Sequence, residues 1–166
     1  AASSAKCAGH PQADRLLADI TEILNGRFWE ARYGASAEEF AEDWSPISDY
    51  RGQNANMHLT EALMAAYEAT GEADYLARAE SIADLILRRR AGAADWRVPE
   101  HYRADWSVDS EYRGSDMFRP FGYTPGHALE WTRLALQLWA LGQRTLDWLP
   151  QAAGKLFEQA IGQGWD

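Results

Sequence analysis

The sequence predicts an all-α domain built as an array of helical hairpins. Apolar residues recur every three to four positions through five segments, the spacing of a buried helical stripe. Those segments are bounded by residues that start or stop helices, and a short pattern recurs between residues 51–61 and 119–130.

The first helix is predicted over residues 11–25, where Leu16, Leu17, Ile20, Ile23 and Leu24 share a face, with Pro11 near its start and Gly26 after its end. A second, over 55–70, carries Met57, Leu59, Ala62, Leu63, Ala66 and Tyr67 and is closed by Gly71. A third, over 73–90, carries Leu76, Ala79, Ile82, Ala83, Ile86 and Leu87. It ends in "RRR", whose positive charge suits a helix C-terminus. The fourth, over 125–141, has Thr124 as a candidate cap, Pro125 at the first helical position and Leu129, Leu134 and Leu138 along it. A shorter fifth helix covers 149–162.

Two long connections, 27–54 and 91–124, are aromatic and charged without being low in complexity. Structureless stretches of such length are unusual in a compact domain, and they are commonly functional. Each leads into a helix with a histidine close to its start. "YRGQNANMHLTEA" has Arg51, His58 and Glu61; "FRPFGYTPGHALEW" has Arg119, His127 and Glu130. The two histidines are 69 residues apart, as are the two glutamates, which matches helix-loop-helix units in which every second helix is equivalent.

Composition narrows the function classes. The chain has 166 residues, enough for one domain with a sizeable core, and a net charge of -9 with acids and bases interspersed. Nucleic acid and anionic membrane surfaces need clustered Lys and Arg, so neither is an expected partner. No apolar run approaches the roughly 20 residues of a membrane span. The single Cys7 excludes an internal disulfide and fits a reducing compartment. No basic-then-apolar leader is present, and a cytoplasmic location is the expectation. Eight Trp, seven Tyr and five Phe are many for this length; such rings fill cores, and they also line sugar clefts.

The paired His-x-x-Glu motifs suggest acid–base chemistry. Both histidines are predicted in the first helical turn, where unpaired backbone N–H groups disfavour imidazolium and keep the ring neutral near pH 7. A neutral ring accepts a proton at one nitrogen while donating at the other. Glu61 and Glu130, one turn on, are placed to orient the rings or bind hydroxyls; Arg51 and Arg119 could hold an oxygen that gains charge. The plainer alternative is that each histidine caps or packs. A di-iron site uses Glu-x-x-His with two further glutamates, the reverse order, and one Cys excludes a thiolate zinc site. Neither a metal nor another cofactor is expected. Asp105, Asp109, Glu111 and Asp116 in the second connection offer a carboxylate pair for glycoside hydrolysis, although loop carboxylates are ordinarily solvated.

Three stretches, "YRGQNANMHLTEALMAAYEATGEADYLARA", "RVPEHYRADW" and "FRPFGYTPGHALEWTRLALQL", resemble the N-acylglucosamine 2-epimerase superfamily. The resemblance is to its branch of aldose–ketose isomerases, the mannose and sulfoquinovose isomerases. It runs over nearly the whole chain, with "NANMH" and "PGHALEW" specific in combination. It implies an (α/α)6 toroid of about twice this length, so that residues 1–166 form one domain, the central portion and about half of the barrel. The implied reaction interconverts a mannose-type aldose and its ketose through a cis-enediol, without a metal. The alternatives are a sugar 2-epimerase, a glycoside hydrolase on a related toroid, or a non-catalytic sugar-binding piece. By motif, Arg51, Asn54 and His58 line the sugar pocket. Arg119, His127 and Glu130 lie beside the reacting carbons, with His127 one of two acid/base histidines. Glu100, His101 and Trp106 contribute to the pocket wall. The second acid/base histidine of the family falls beyond residue 166. A small sugar is the expected partner, and homo-oligomerisation is left open.

Overall fold

The computed structural model describes residues 1–114, 117 and 119–164. Six α-helices dominate them: α1 (Ala2–Cys7), α2 (Ala13–Ile23), α3 (Gln53–Thr70), α4 (Ala73–Ala83), α5 (Pro125–Leu141) and α6 (Trp148–Gln163). The five predicted helices are α2 to α6. Helix α1 was not expected, because "ASSAKC" has no apolar stripe. It forms against α2 and α3, where tertiary contact outweighs weak local preference.

Two predicted helices continue past the regular α repeat. Helix α2 runs into a π-helical stretch, Leu24–Phe28, so Gly26 lies inside the helical segment instead of ending it. Helix α4 runs into a second π-helical stretch, Asp84–Ala91, followed by a 3-10 turn, Gly92–Ala94. Leu85, Ile86 and Leu87 are three consecutive buried side chains in that stretch. A uniform α repeat turns consecutive residues through about 100° each and would aim them apart; wider winding accompanies their common burial.

Helices α3 and α4 form one hairpin and α5 and α6 another, while α3 also packs on α5. The core between them is drawn from one face of each helix: Met57, Leu63 and Met64 of α3, Ala79 and Ile82 of α4, Trp131, Leu134 and Leu138 of α5, and Leu149 and Leu156 of α6. Each such large side chain contributes about 1.5–3 kcal/mol of transfer free energy. Gly71 closes α3 with φ +76°, a left-handed conformation that glycine adopts without steric penalty.

The long connections carry short strands that the sequence reading did not place. Strand β1 (Trp29–Glu30) pairs antiparallel with β2 (Ala35–Ser36). Strand β3 (Arg51–Gly52) pairs with β4 (His101–Tyr102), placing Arg51 opposite Tyr102 and Gly52 opposite His101. These strands are two residues each, too short for an alternating pattern to register. The β3–β4 ladder ties the two connections together directly beneath the N-terminus of α3.

Candidate functional site

Helices α3 and α5 lie side by side with their N-termini at the same end. At that end the Trp131 indole N–H donates to Gln53 Oε1 at 2.6 Å, and Gln53 Nε2 lies 2.8 Å from His127 Nδ1. Two turns on, Arg133 Nη2 donates to Glu61 Oε1 at 2.7 Å. Along α3 the residues Asn54, His58 and Glu61 follow an i, i+4, i+7 stripe; along α5 His127, Glu130 and Arg133 follow i, i+3, i+6. The contacts at both ends of the stripes bring the two His-x-x-Glu units onto adjoining helix faces.

His127 is the third residue of α5, in the first turn as predicted, and its side chain is 24% exposed. Its Nδ1 lies 2.8 and 3.0 Å from the two oxygens of Glu100. The expected direction of its titration is reversed. The hydrogen bond to Glu100 holds the imidazole above its ordinary pKa, with partial burial opposing and the charges of Glu100 and Glu130 adding to the rise. The helix-terminal field is therefore outweighed by a carboxylate 27 residues away, not by the neighbouring Glu130 alone.

Glu100 was expected in the wall of a sugar pocket. It is buried instead, and its carboxylate accepts from Gln53 Nε2 at 2.8 Å, from the Thr124 amide at 3.2 Å and from the Thr124 hydroxyl at 3.0 Å, besides facing His127. Thr124 occupies the N-cap of α5, yet its hydroxyl serves Glu100 and makes no cap bond.

His58 is not equivalent to His127. Helix α3 starts at Gln53, two residues earlier than expected, with Gly52 at its cap. His58 thus falls sixth in the helix, beyond the reach of the unpaired first-turn amides. Its ring is exposed, 3.9 Å from Glu61. Asn54, one turn before it, is half-buried.

The two arginines are already engaged. Arg51 donates Nε and Nη2 to the two oxygens of Glu30 at 2.9 and 2.7 Å and Nη1 to the Tyr50 carbonyl at 2.9 Å. Arg119 donates to Glu39 at 3.0 Å and to the Tyr112 hydroxyl at 3.1 Å, its guanidinium 4.2 Å from the Tyr50 ring centre. His101 and Trp106, also expected in the wall, are buried. His101 accepts from Tyr50 at Nδ1 (2.9 Å) and donates from Nε2 to the Pro120 carbonyl (2.6 Å), which uses both nitrogens. Trp106 donates its indole N–H to Glu30 at 2.9 Å.

The loop carboxylates are held by local turns. Asp105 accepts from the amide and hydroxyl of Ser107, and Asp109 faces Arg103 at 3.5 Å. Both line a cavity of about 610 Å³ with Tyr50, Tyr102 and Tyr112. Glu111 is exposed, and Asp116 lies outside the described residues. Among the described residues no group of three or more His, Cys, Asp or Glu side chains is placed to hold a metal ion. Gln53 and Trp131 escaped the sequence reading. Both adjoin the recognised motifs, but their roles rest on partners 74 and 78 residues away.

Comparison with known proteins bears on this site. The profile of the N-acylglucosamine 2-epimerase (GlcNAc 2-epimerase) family matches residues 1–166. The chain is 45% identical over 173 aligned positions to a protein named D-mannose isomerase from Pseudomonas cannabina pv. alisalensis, covering all of this chain and 42% of that one. It is 40% identical to a D-mannose isomerase from Thermobifida fusca, covering 99% of this chain and 41% of that one. A crystal structure of D-mannose isomerase superposes with a TM-score of 0.90 at 38% identity, over 99% of this chain and 43% of the other. Cellobiose 2-epimerase from Spirochaeta thermophila DSM 6192 superposes with a TM-score of 0.77 at 18% identity over 93% and 39% of the two chains, a likeness of fold alone. The chain spans about two fifths of the length of the curated relatives it matches. Its helical hairpins are part of the α/α toroid of those neighbours.

Proposed function

Because the chain belongs to the N-acylglucosamine 2-epimerase family, we propose that it carries one acid/base half of an aldose–ketose isomerase acting on mannose-type sugars. The observation that supports this reading is the Glu100–His127 pair at the head of α5, beside the stripe of Asn54, His58, Glu61 and Glu130. With the sugar open, neutral His127 takes the proton from C2. The C–H pair becomes the C1–C2 double bond, the carbonyl pair moves to O1, and O1 takes a proton, giving a cis-enediol. The imidazolium exchanges that proton with solvent and then protonates C1, and with loss of the O2 hydroxyl proton the ketose forms. Asn54, His58 and Glu130 are the groups left to bind hydroxyls. The reaction in this reading also uses a second acid/base histidine. Arg51, Glu100, His101 and Trp106 support the site from behind, and Arg119 edges it.

A small sugar is the partner in this reading, and a cytoplasmic location and self-association go with it. Proton NMR of the complete protein with mannose in D2O tests it. Ketose should accumulate with deuterium at C1. A C2 epimer without ketose would make the protein an epimerase, and neither product would remove the proposal.

A further inference from the structure

We propose that Glu100, clamped by Gln53 and Thr124, is a positioning residue that holds the Nδ1 proton of His127 and so leaves Nε2 as the atom that exchanges the sugar proton. The chemistry of this inference rests on the isomerase reading above; its geometry does not.

The Trp131 indole N–H can only donate, so the Gln53 atom 2.6 Å from it must be the carbonyl oxygen. That fixes the orientation of the amide. Its Nε2 then points to Glu100 Oε2 at 2.8 Å. Thr124 closes the clamp from the other side, with its amide and its hydroxyl both on Oε1. Three donors from two residues thus meet one buried carboxylate, and the remaining direction is filled by His127 Nδ1.

Two arrangements exist at that nitrogen. It could accept the second hydrogen of Gln53 Nε2, also 2.8 Å away, or donate its own to Glu100. In the first, the lone pair of Nδ1 would face both carboxylate oxygens at 2.8 and 3.0 Å across a largely dry gap, a repulsive contact with no donor between. In the second, a charge-assisted bond forms. The second wins, and the lone pair of the neutral ring is on Nε2. Among the described residues Nε2 has no hydrogen-bond partner. When Nε2 takes a proton, the imidazolium keeps its Nδ1–H on Glu100, and charge separated from the sugar is balanced at once.

The charged groups facing His127 are Glu100 from the segment before β4 and Glu130 from α5 itself, whereas α3 presents the uncharged Gln53. Removing the charge of Glu100 therefore lowers the proton affinity of the ring and leaves the smaller influence of Glu130. The sign for kinetics follows: the neutral ring is the base, so the acid limb of kcat/KM moves to lower pH in Glu100→Gln.

The test uses the complete protein with 15N-labelled histidine. In the wild type above the titration of His127, the spectrum should show a protonated Nδ1 and a bare Nε2. In Glu100→Gln, kcat should fall at least about tenfold and the acid limb should shift by about one pH unit, while Glu100→Asp should keep much of the limb's position. A role in folding alone would lower thermal stability without moving that limb. Trp131→Phe, which releases the Gln53 amide, should give a mixture of tautomers, a readout that survives if Glu100→Gln does not fold. An Nε2-protonated ring in the wild type, or an unmoved acid limb in folded Glu100→Gln, overturns the proposal. Absence of ketose from the wild type with an Nδ1-protonated ring would instead refute the isomerase reading, since the tautomer needs no turnover to be seen.

Discussion

At the scale of single residues, His127 carries the chemistry and its surroundings set its charge. His127→Ala in the complete protein should lower kcat by about 10² to 10⁴, the usual span for a general acid–base group. The pair has a pH signature of its own. The folded pKa of His127 lies above its ordinary value of 6.5, so the stabilisation from its pairing with Glu100 is complete below about that pH and is lost as pH rises through the folded pKa. Replacing His127 by Asn should therefore cost more stability at pH 6 than at pH 8.5, as denaturant melts at the two pH values would show. Equal costs would mean that the pair is not charged in the folded protein. Arg51 makes the contrasting case. Its side chain is 12% exposed, and three of its five N–H groups are held by Glu30 and a carbonyl. Arg51→Met leaves the Glu30 carboxylate with only Trp106 as a donor and should lower unfolding free energy by about 2–3 kcal/mol by urea titration.

At the scale of elements, the pieces that position the site are the shortest ones. The turn between β1 and β2 carries Gly34 at φ +69°, packed against Ser81 of α4 so closely that a Cβ would collide with the serine side chain. Gly34→Ala combines that collision with left-handed backbone and should cost about 2–3 kcal/mol, read from the midpoint of chemical unfolding. An unchanged midpoint would show that this turn does not seat on α4. The N-terminus of α3 illustrates how an element boundary decides a residue's role. Expected to begin at residue 55, it begins at Gln53, because the β3–β4 ladder delivers the chain already extended at Gly52. Those two residues move His58 out of the first turn and put Gln53 beside His127. The 69-residue echo therefore describes helix order faithfully and helix register poorly.

At the scale of the whole molecule, several apolar stripes remain open. Leu16, Ile20 and Ile23 lie exposed at i, i+4, i+7 on α2, and Phe157 and Ile161 at i, i+4 on α6. Residues 1–166 expressed alone should self-associate, with sedimentation or light scattering reporting species larger than the monomer. Leu16→Glu with Ile20→Glu should weaken that association if the α2 stripe drives it. A monomer at high concentration from the unaltered chain would show that the stripes are tolerated in water. The same preparation should show no mannose–fructose interconversion, because the proposed reading gives an acid/base role within residues 1–166 to His127 alone.

Helix identity, the order of hairpins and the motif around His127 were legible from the sequence. Apolar spacing and breakers such as Gly71 act over a few residues, and Pro125 starts α5 through its own fixed φ. What only the tertiary structure decided was which polar group meets which. Glu100 and Trp106 read as residues of a pocket wall; folding joins Glu100 to Thr124 and Gln53, and Trp106 to Glu30. Arg51 looks free for substrate until the β1 strand brings Glu30 across to it. The physical reason is one of range. Backbone preference and hydrophobic period are local properties of the chain, whereas a buried donor is satisfied by whichever acceptor the packing brings within 3 Å, at any sequence distance.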